Sequence, residues 1–295
     1  MPEYVKSCPL CGMEKYLVFD QRDFRGFQVT NVLCSHCGLV FQTPRMTASE
    51  LDKFYTEHYR VAYHGQEGPN DKDLMVQKAR AEYLVNLLQG LELGEVKSYL
   101  DIGSSAGSLI EQVKQVYGCE AVGVEPGEAY RQYAISKGIR VFNDLDQIEQ
   151  AEIPKFNLMS LIHVLEHIPD PVEYLKTLRT KLFTQNGKLL VEVPNLYAHD
   201  CFEVAHLTSF SSDRLIQVLK KAGYKCLYIE RHGHPRSRMI PLYITTLAEP
   251  ERDGSKDTRI EFEKLVRIKR RTGLMHRRII ERLFPSYAWI PEFRS

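Results

Sequence analysis

"YLDIGSSAGSL", Tyr99 to Leu109, is the stretch on which the fold turns. Tyr99–Ile102 has strand character, and Leu109 opens a helical pattern that runs to Tyr117. Between them, Gly103 and Gly107 permit close backbone approach, and the amides that open the next helix can hold a carboxylate or phosphate. The dinucleotide spelling G-x-G-x-x-G does not fit. Ser105 holds the second glycine's place and Ser108 the third.

Outward from this turn, strands and helices alternate. Ala121–Val124, Ile139–Phe142 and Leu158–Ile162 read as strands, with a helix over Glu128–Lys137. A helix over Pro171–Phe183 is announced by Asp170 as N-cap, Pro171 at the first position and Glu173 closing the box. Asn186-Gly187 reads as a turn into a strand at Lys188–Val193. A helix at Ser211–Ala222, ended by Gly223, and strands at Lys225–Glu230 and Ile240–Leu247 complete the set. Alternation of this kind predicts an α/β fold, a doubly wound and mostly parallel seven-stranded sheet. Ligands on such sheets bind beyond the carboxyl ends of the strands. Glu125, in "VGVEP", follows Gly103 by 22 residues and is placed to accept hydrogen bonds from ribose hydroxyls.

Composition sets outer bounds. The 295-residue chain is 43% hydrophobic and 26% charged, which allows a core of ordinary size. A net charge of +1 argues neither for nor against a polyanionic partner over the whole surface. No apolar run approaches the ~20 residues of a membrane helix, and "MPEYVKSCPL" lacks the layout of a signal peptide. The expected location is the cytoplasm, with reduced thiols. There, Cys8, Cys11, Cys34 and Cys37, spelled "CPLCG" and "CSHCG", are better explained by a metal than by disulfides. Four thiolates suit one tetrahedral, structural zinc. "EKYLVFD" and "FQVTNVL" supply strands for a small zinc ribbon. "TASE", Thr47–Glu50, is a capping box for a short helix carrying Phe54, Tyr55 and Tyr59. After the break "GQEGPND", an amphipathic helix over 71–91 places Leu74, Ala81, Leu84, Val85 and Leu88 on one side.

Asp101-x-Gly103-x-Ser105-x-Gly107 followed by Glu125 resembles the motifs of class I S-adenosylmethionine (SAM)-dependent methyltransferases, a Rossmann-like family. "FNLMSLIHVLEHIPDP", "GKLLVEVPN" and "HLTSFSSDRLIQVLKKAGY" resemble the segments that follow in it. The resemblance covers roughly residues 71–248, and the cysteine module is similar to one fused to sugar C-methyltransferases and to enzymes of surface-polysaccharide or natural-product pathways. The resemblance implies that Gly103 to Gly107 wrap the methionine portion of SAM, with Asp101 and Ser105 in the same turn. It implies that Glu125, beside Pro126, holds the ribose and that Asn143 and Asp144 lie near adenine. Asn157 stands where the family usually has an aspartate.

"HVLEH", His163 to His167, then has three readings. As H-x-x-E-H it spells one class of zinc peptidase, but that motif needs a long helix, and here it follows a strand with Pro169 two residues on. Related O-methyltransferases chelate a metal with E-x-x-E-H at this place, but His163 replaces the first glutamate and suits magnesium less well. The third reading makes His163, Glu166 and His167 a catalytic wall that faces the transferred methyl, with no metal required. "AHLTSFS" resembles the E-H-x-S segment of the sugar C-methyltransferases, whose histidine serves as base, so His206 is the first candidate base and His167 the second. His206 is expected across the cleft from HVLEH, and the glutamate that precedes the family's histidine is Ala205 here.

Lys264 to Arg282 carries eight lysines and arginines against Glu281 alone, with Phe262, Leu265, Val266, Ile279, Ile280 and Leu283 as an apolar side. Such a segment can contact an anionic surface or a protein partner. "SYAWIPEF" is apolar enough to dock. The expected organisation is a zinc ribbon (1–45), a helical connector and lid (46–95), a SAM-binding domain (96–248) and a basic helical extension (249–295). The expected function is methyl transfer to a small-molecule or carrier-linked acceptor, a sugar or glycan foremost. RNA methylation through the ribbon and basic tail, and a SAM-binding scaffold without turnover, are the alternatives.

Overall fold

The computed structural model describes residues 2–54, 68–200, 202–251 and 259–293. Tyr55, Tyr59 and part of the break before residue 71 lie outside the described residues, as does much of the linker after the last strand. Five strands run parallel: β4 (Ser98–Ile102), β5 (Glu120–Val124), β6 (Val141–Phe142), β7 (Phe156–Ile162) and β8 (Phe183–Pro194). With β10 (Tyr224–His232) and β11 (Tyr243–Pro250) they form a seven-stranded sheet in the order β10-β11-β8-β7-β4-β5-β6. β11 is antiparallel to both its neighbours. The order reverses at β4, so a crevice opens beyond the carboxyl ends of β4, β5 and β7.

The helices form where the capping chemistry expects them. Asn70 accepts from the Asp73 amide at 2.9 Å and opens α2 (Asp71–Gly90), which buries Val76, Ala81, Leu84, Val85 and Leu88. Asp170 accepts from the Glu173 amide at 3.0 Å ahead of α6 (Pro171–Lys181). Thr47 and Glu50 form their reciprocal box at α1 (Ala48–Lys53). The helix predicted over Pro171–Phe183 stops at Lys181, because Phe183 already pairs with Phe156 in the sheet. Asn186-Gly187 is not a turn. β8 is continuous through it, and the register jumps from Phe156↔Phe183 to Leu158↔Lys188. An Asn-Gly pair makes a hairpin where its flanks pair with each other; here both flanks pair with β7, and the extra residues are absorbed as a bulge. β6 is shorter than Ile139–Phe142, and the last strand starts at Tyr243, leaving Ile240 in an apolar cluster with Leu242, Ile280 and Ala288.

The N-terminal strands β1 (Tyr16–Phe24), β2 (Phe27–Cys34) and β3 (Val40–Gln42) make an antiparallel sheet whose fourth strand, β9 (Thr208–Ser209), comes from far along the chain. Few residues are available for a separate core, and none forms: Cys8, Leu10, Val32 and Phe41 share one buried cluster with Leu215, Val218 and Tyr224. The basic segment becomes α8 (Val266–Leu283). Arg270 is buried, stacks 4.2 Å from the Phe202 ring and donates to the carbonyls of Leu196 and His199. Ala288 and the partly buried Trp289 complete that contact, so "SYAWIPEF" does dock. Asn157 works at the opposite end of the sheet from the crevice, accepting from the Lys97 and Ser98 amides and donating to the Glu95 carbonyl.

Candidate active site

Beyond β4 and β5 the groove is lined by backbone. Gly103 and Gly107 both lie at positive φ, 75° and 84°. A Cβ would stand 2.5 Å from Val164 at the first and 2.3 Å from Ile139 at the second, so close packing as well as conformation selects glycine. Ser105, at the usual middle glycine's place, takes φ 49°, a left-handed conformation that costs a non-glycine residue ~1–2 kcal/mol. Its amide donates to Glu125 Oε2 at 2.9 Å, and the Gly127 amide donates to Oε1 at 2.9 Å. Glu125 thus stands at the β5 end of the turn, held by two backbone amides. Asp101 is buried beneath the turn and accepts from Ser160 Oγ at 2.5 Å, which in turn is 2.6 Å from the Tyr99 hydroxyl. Burial pushes the Asp101 carboxyl up to about 7; Ser160 opposes the shift and the Glu125 charge adds to it.

Arg131 Nη1 donates to the carbonyls of Glu125 and Pro126 and to Asn143 Oδ1, at 2.8, 2.9 and 3.0 Å, tying the β5 and β6 ends together. Asp144 is an N-cap: its Oδ1 accepts from the Gln147 amide at 2.9 Å to open α5 (Leu145–Gln150). Its side chain therefore has a structural partner.

Beyond β7 and β8 the lining changes to buried acids and imidazoles. HVLEH is no α-helix. His163 takes φ 56°, and Leu165–His167 makes one 3-10 turn, so the long helix of a zinc peptidase is absent. His163 Nε2 lies 3.1 Å from Glu192 Oε1, and its Nδ1 lies 3.4 Å from Glu166 Oε1. An imidazolium there bridges two carboxylates. Burial and Arg80 pull the His163 pKa down, but Glu166 and Glu192 prevail and raise it. Glu192 also meets Arg80 Nε at 2.9 Å, His232 Nε2 at 3.3 Å and the Thr245 hydroxyl at 2.9 Å. The Arg80 charge and the hydrogen bonds from His163 and His232 outweigh its burial and hold its carboxyl well below the usual carboxylate range. Burial likewise raises Glu166, but His163, His167 and His206 bring it down to about 2.

His206 does not stand across a cleft. The Leu207 amide donates to the Glu166 carbonyl at 2.8 Å, which lays the β9 segment on the 3-10 turn, and the His206 and His167 rings are 4.9 Å apart. β9 pairs with β3, so the ribbon sets this position. His167 Nδ1 lies 2.9 Å from the Ala205 carbonyl, to which Nδ1–H donates, and its Nε2 stands 3.9 Å from Glu166 Oε1. Burial lowers the His167 pKa to about 4, Glu166 opposing. The glutamate missing at residue 205 has spatial substitutes. Glu203 Oε2 stands 3.9 Å from His206 Nε2, and one ligand atom each of Glu166, His167 and His206 fall within 4.8 Å of one another.

The sequence reading passed over Arg80, Glu192 and His232. Glu192 was the visible signal, a lone charge in the apolar run "LLVEVP", which demanded a buried partner. Gln77 was also missed; its Oε1 accepts from the Ala106 amide at 3.1 Å within the glycine turn. Away from the groove, the sulfurs of Cys8, Cys11, Cys34 and Cys37 all lie within 4.8 Å of one another. Cys8 and Cys37 Sγ are 3.6 Å apart, and Cys11 and Cys34 Sγ 3.4 Å. Hydrogen bonds from Cys37 and Cys8 hold the Cys34 thiol far below its ordinary value, while Cys34 and Cys37 push Cys8 up. Four cysteine sulfurs gathered in this way are a donor set that fits tetrahedral zinc.

The chain was compared with known proteins. Residues 76–229 match a family model described as a methyltransferase domain. Two curated relatives are ubiquinone biosynthesis O-methyltransferases. The one from Haemophilus ducreyi is 27% identical over 157 residues, 50% of this chain and 64% of its own length. That from Hahella chejuensis is 29% identical over 86 residues, 27% of this chain and 36% of its own. The matches thus span less than two thirds of those relatives. Among solved structures, the 1,6-didemethyltoxoflavin-N1-methyltransferase of Burkholderia thailandensis superposes with a TM-score of 0.54 at 14% identity, over 79% of this chain and all of that one, and shares its fold. With the family model covering more than half of the sequence and the glycine turn and Glu125 inside it, the chain belongs to the methyltransferase-domain family.

Proposed function

We propose that this chain transfers a methyl group from SAM to a hydroxyl of a small-molecule acceptor, with His206 as general base. The observation that carries this reading is the meeting, along one sheet edge, of the Glu125-backed glycine turn and the buried His167–His206 pair. The two curated relatives, both named as O-methyltransferases, favour an oxygen acceptor. The resemblance of the cysteine module favours a sugar or carrier-linked glycan. When bound, SAM supplies an electrophilic methyl on its sulfonium. Glu125 accepts from the ribose hydroxyls, and the Gly103–Gly107 backbone and Asp101 receive the amino-acid end. Pro126, Asn143 and Asp144 border the base.

His206 Nε2 takes the acceptor proton. His167, held neutral by burial, is the weaker base and serves to position its neighbour. His163 and Glu166 fix the wall between them. In this proposal Cys8, Cys11, Cys34 and Cys37 hold one structural zinc, which a reducing, cytoplasmic setting suits. The organisation into ribbon, connector, SAM-binding domain and basic extension belongs to the same proposal.

The convergence of Glu166, His167 and His206 supports a second reading, in which those three hold a divalent cation that polarises the acceptor. Labelled methyl transfer to sugar nucleotides and glycans, to phenolic hydroxyls and to total RNA tests the acceptor class. Transfer to RNA alone, or no calorimetric binding of SAM, overturns the first reading. Restoration of stripped enzyme by magnesium moves the choice to the second.

A further inference from the structure

The apolar residues of the C-terminal helix do not all face inward. Val266, Arg270 and Ile280 are buried, and Arg277 donates to the Ala198 carbonyl, so the inner face is fully used. Leu265, Ile268, Met275, Ile279 and Leu283 are 46–64% exposed. With Thr272 they recur at intervals of three and four residues, which makes one outward stripe along the helix. Phe284 and Tyr287, also exposed, extend the stripe beyond the helix end. On helical geometry, Arg271, Arg278 and Arg282 run along one flank beside Arg267, which donates to the carbonyls of Val18 and Phe19, and His276 lies along the other beside Lys269, which pairs with Glu263 and Asp213. The helix has one acid, Glu281, and Arg277 already pairs with it at 2.9 Å.

We propose that this outward face is a docking surface for an anionic lipid bilayer, on which α8 lies in the plane of the interface. Charge decides among the possible occupants. A second copy of the same face would bring rows of arginine against each other with no acid to offset them. A nucleic acid would satisfy the arginines and leave the apolar stripe in water. An anionic bilayer takes both at once: the apolar side chains enter the acyl boundary while the arginine stems lie along it with their heads among the phosphates. The attachment is peripheral, since among the described residues no helix is long and apolar enough to cross a membrane. The inference is independent of the acceptor's identity. Because Arg270 ties the helix to the loop after β8, docking would bring the histidine wall near the membrane surface.

The test is flotation of the full chain with vesicles of phosphatidylcholine alone and of phosphatidylcholine mixed with phosphatidylglycerol. Binding is expected to the anionic vesicles only and to weaken with added salt. Each basic side chain near the surface contributes roughly fivefold to partitioning, so replacing Arg271, Arg278 and Arg282 together by Ala should lower it on the order of a hundredfold. Met275→Asp with Ile279→Asp should abolish it. These side chains are exposed, so unchanged circular dichroism and SAM affinity are expected and serve as the check on folding. The proposal is overturned if neutral and anionic vesicles bind alike, if neither binds, or if the double aspartate variant still floats. It is also overturned if light scattering without lipid finds a dimer that this variant dissociates, since the stripe would then be an interface between copies.

Discussion

Beyond β4 and β5 the groove presents backbone amides and one carboxylate; beyond β7 and β8 it presents acids and imidazoles packed out of water. The first half is stitched chiefly through backbone, as when the Ser105 and Gly127 amides meet Glu125. The second is stitched over distance. His163 meets Glu192, His167 meets the Ala205 carbonyl, Arg80 reaches Glu192, and β9 borrows its partner from the ribbon. A half built of backbone keeps its shape when single side chains change, whereas one built of coupled buried charges does not. Cofactor binding and turnover should therefore respond to different insults.

The strongest way to break this comparison is to strip the zinc proposed for the four cysteines. Structural zinc supplies ~10–16 kcal/mol of folding free energy in zinc-finger peptides. About one zinc per chain is expected by elemental analysis, and its removal should unfold β1–β3, release β9 and abolish turnover while calorimetric SAM affinity largely survives. Equal loss of both would mean that the two halves do not separate. Next in size, His206→Ala should lower kcat by ~10²–10⁴ with little change in SAM affinity. Full turnover in that variant would remove His206 as the base and leave His167 or a water. Glu125→Ala reverses the pattern, and should cost SAM binding ~1.5–3 kcal/mol, the range for hydrogen bonds to a charged group. Unchanged affinity in the folded variant would unseat Glu125 as the ribose ligand.

The smallest effect concerns pH. Asp101 titrates at about 7 in the folded chain, against 3.8 for the ordinary carboxyl, because it is buried. Its raised value stabilises the fold fully below pH 3.8, and that contribution is lost as pH rises through 7. A cationic ligand favours the ionised form, so below pH 7 binding must expel a proton. SAM affinity should fall with acidification there, by at most about tenfold per pH unit, and Asp101→Asn should flatten the profile. A slope that persists in the variant would assign the proton to another group.

The same division governs what could be read from the sequence. The glycine turn, Glu125, the caps at Asp170 and Thr47 and the cysteine pairs are local signals, and the seven-stranded sheet follows from the alternation of strands and helices. β8 was misjudged at Asn186-Gly187, because turn chemistry is local while the pairing with β7 is not. His206 was singled out through resemblance, but its edge-on contact with the His167 ring depends on a two-residue strand that no periodicity marks. Arg80 lies on the exposed-looking side of an amphipathic helix, and only the fold brings it to Glu192. Its role was invisible until both ends of the pair were in place.

The last stretch of chain returns to its beginning. The Cys37 carbonyl, in the second cysteine knuckle, accepts from the Glu263 amide at 3.1 Å and from Arg214 Nη1 at 2.7 Å. That arginine also donates to the Glu261 carbonyl, and its Nε stands 3.4 Å from Glu263. A ribosome delivers residue 37 long before residue 263, so the knuckle must wait, incompletely covered, until the segment that seals it has emerged. A chain truncated before Glu261 should show faster amide exchange at Cys37 and Gly38 than the full-length protein, while exchange in β4 and β5 stays the same. Equal protection at the knuckle in both chains would show that it closes without the C-terminus.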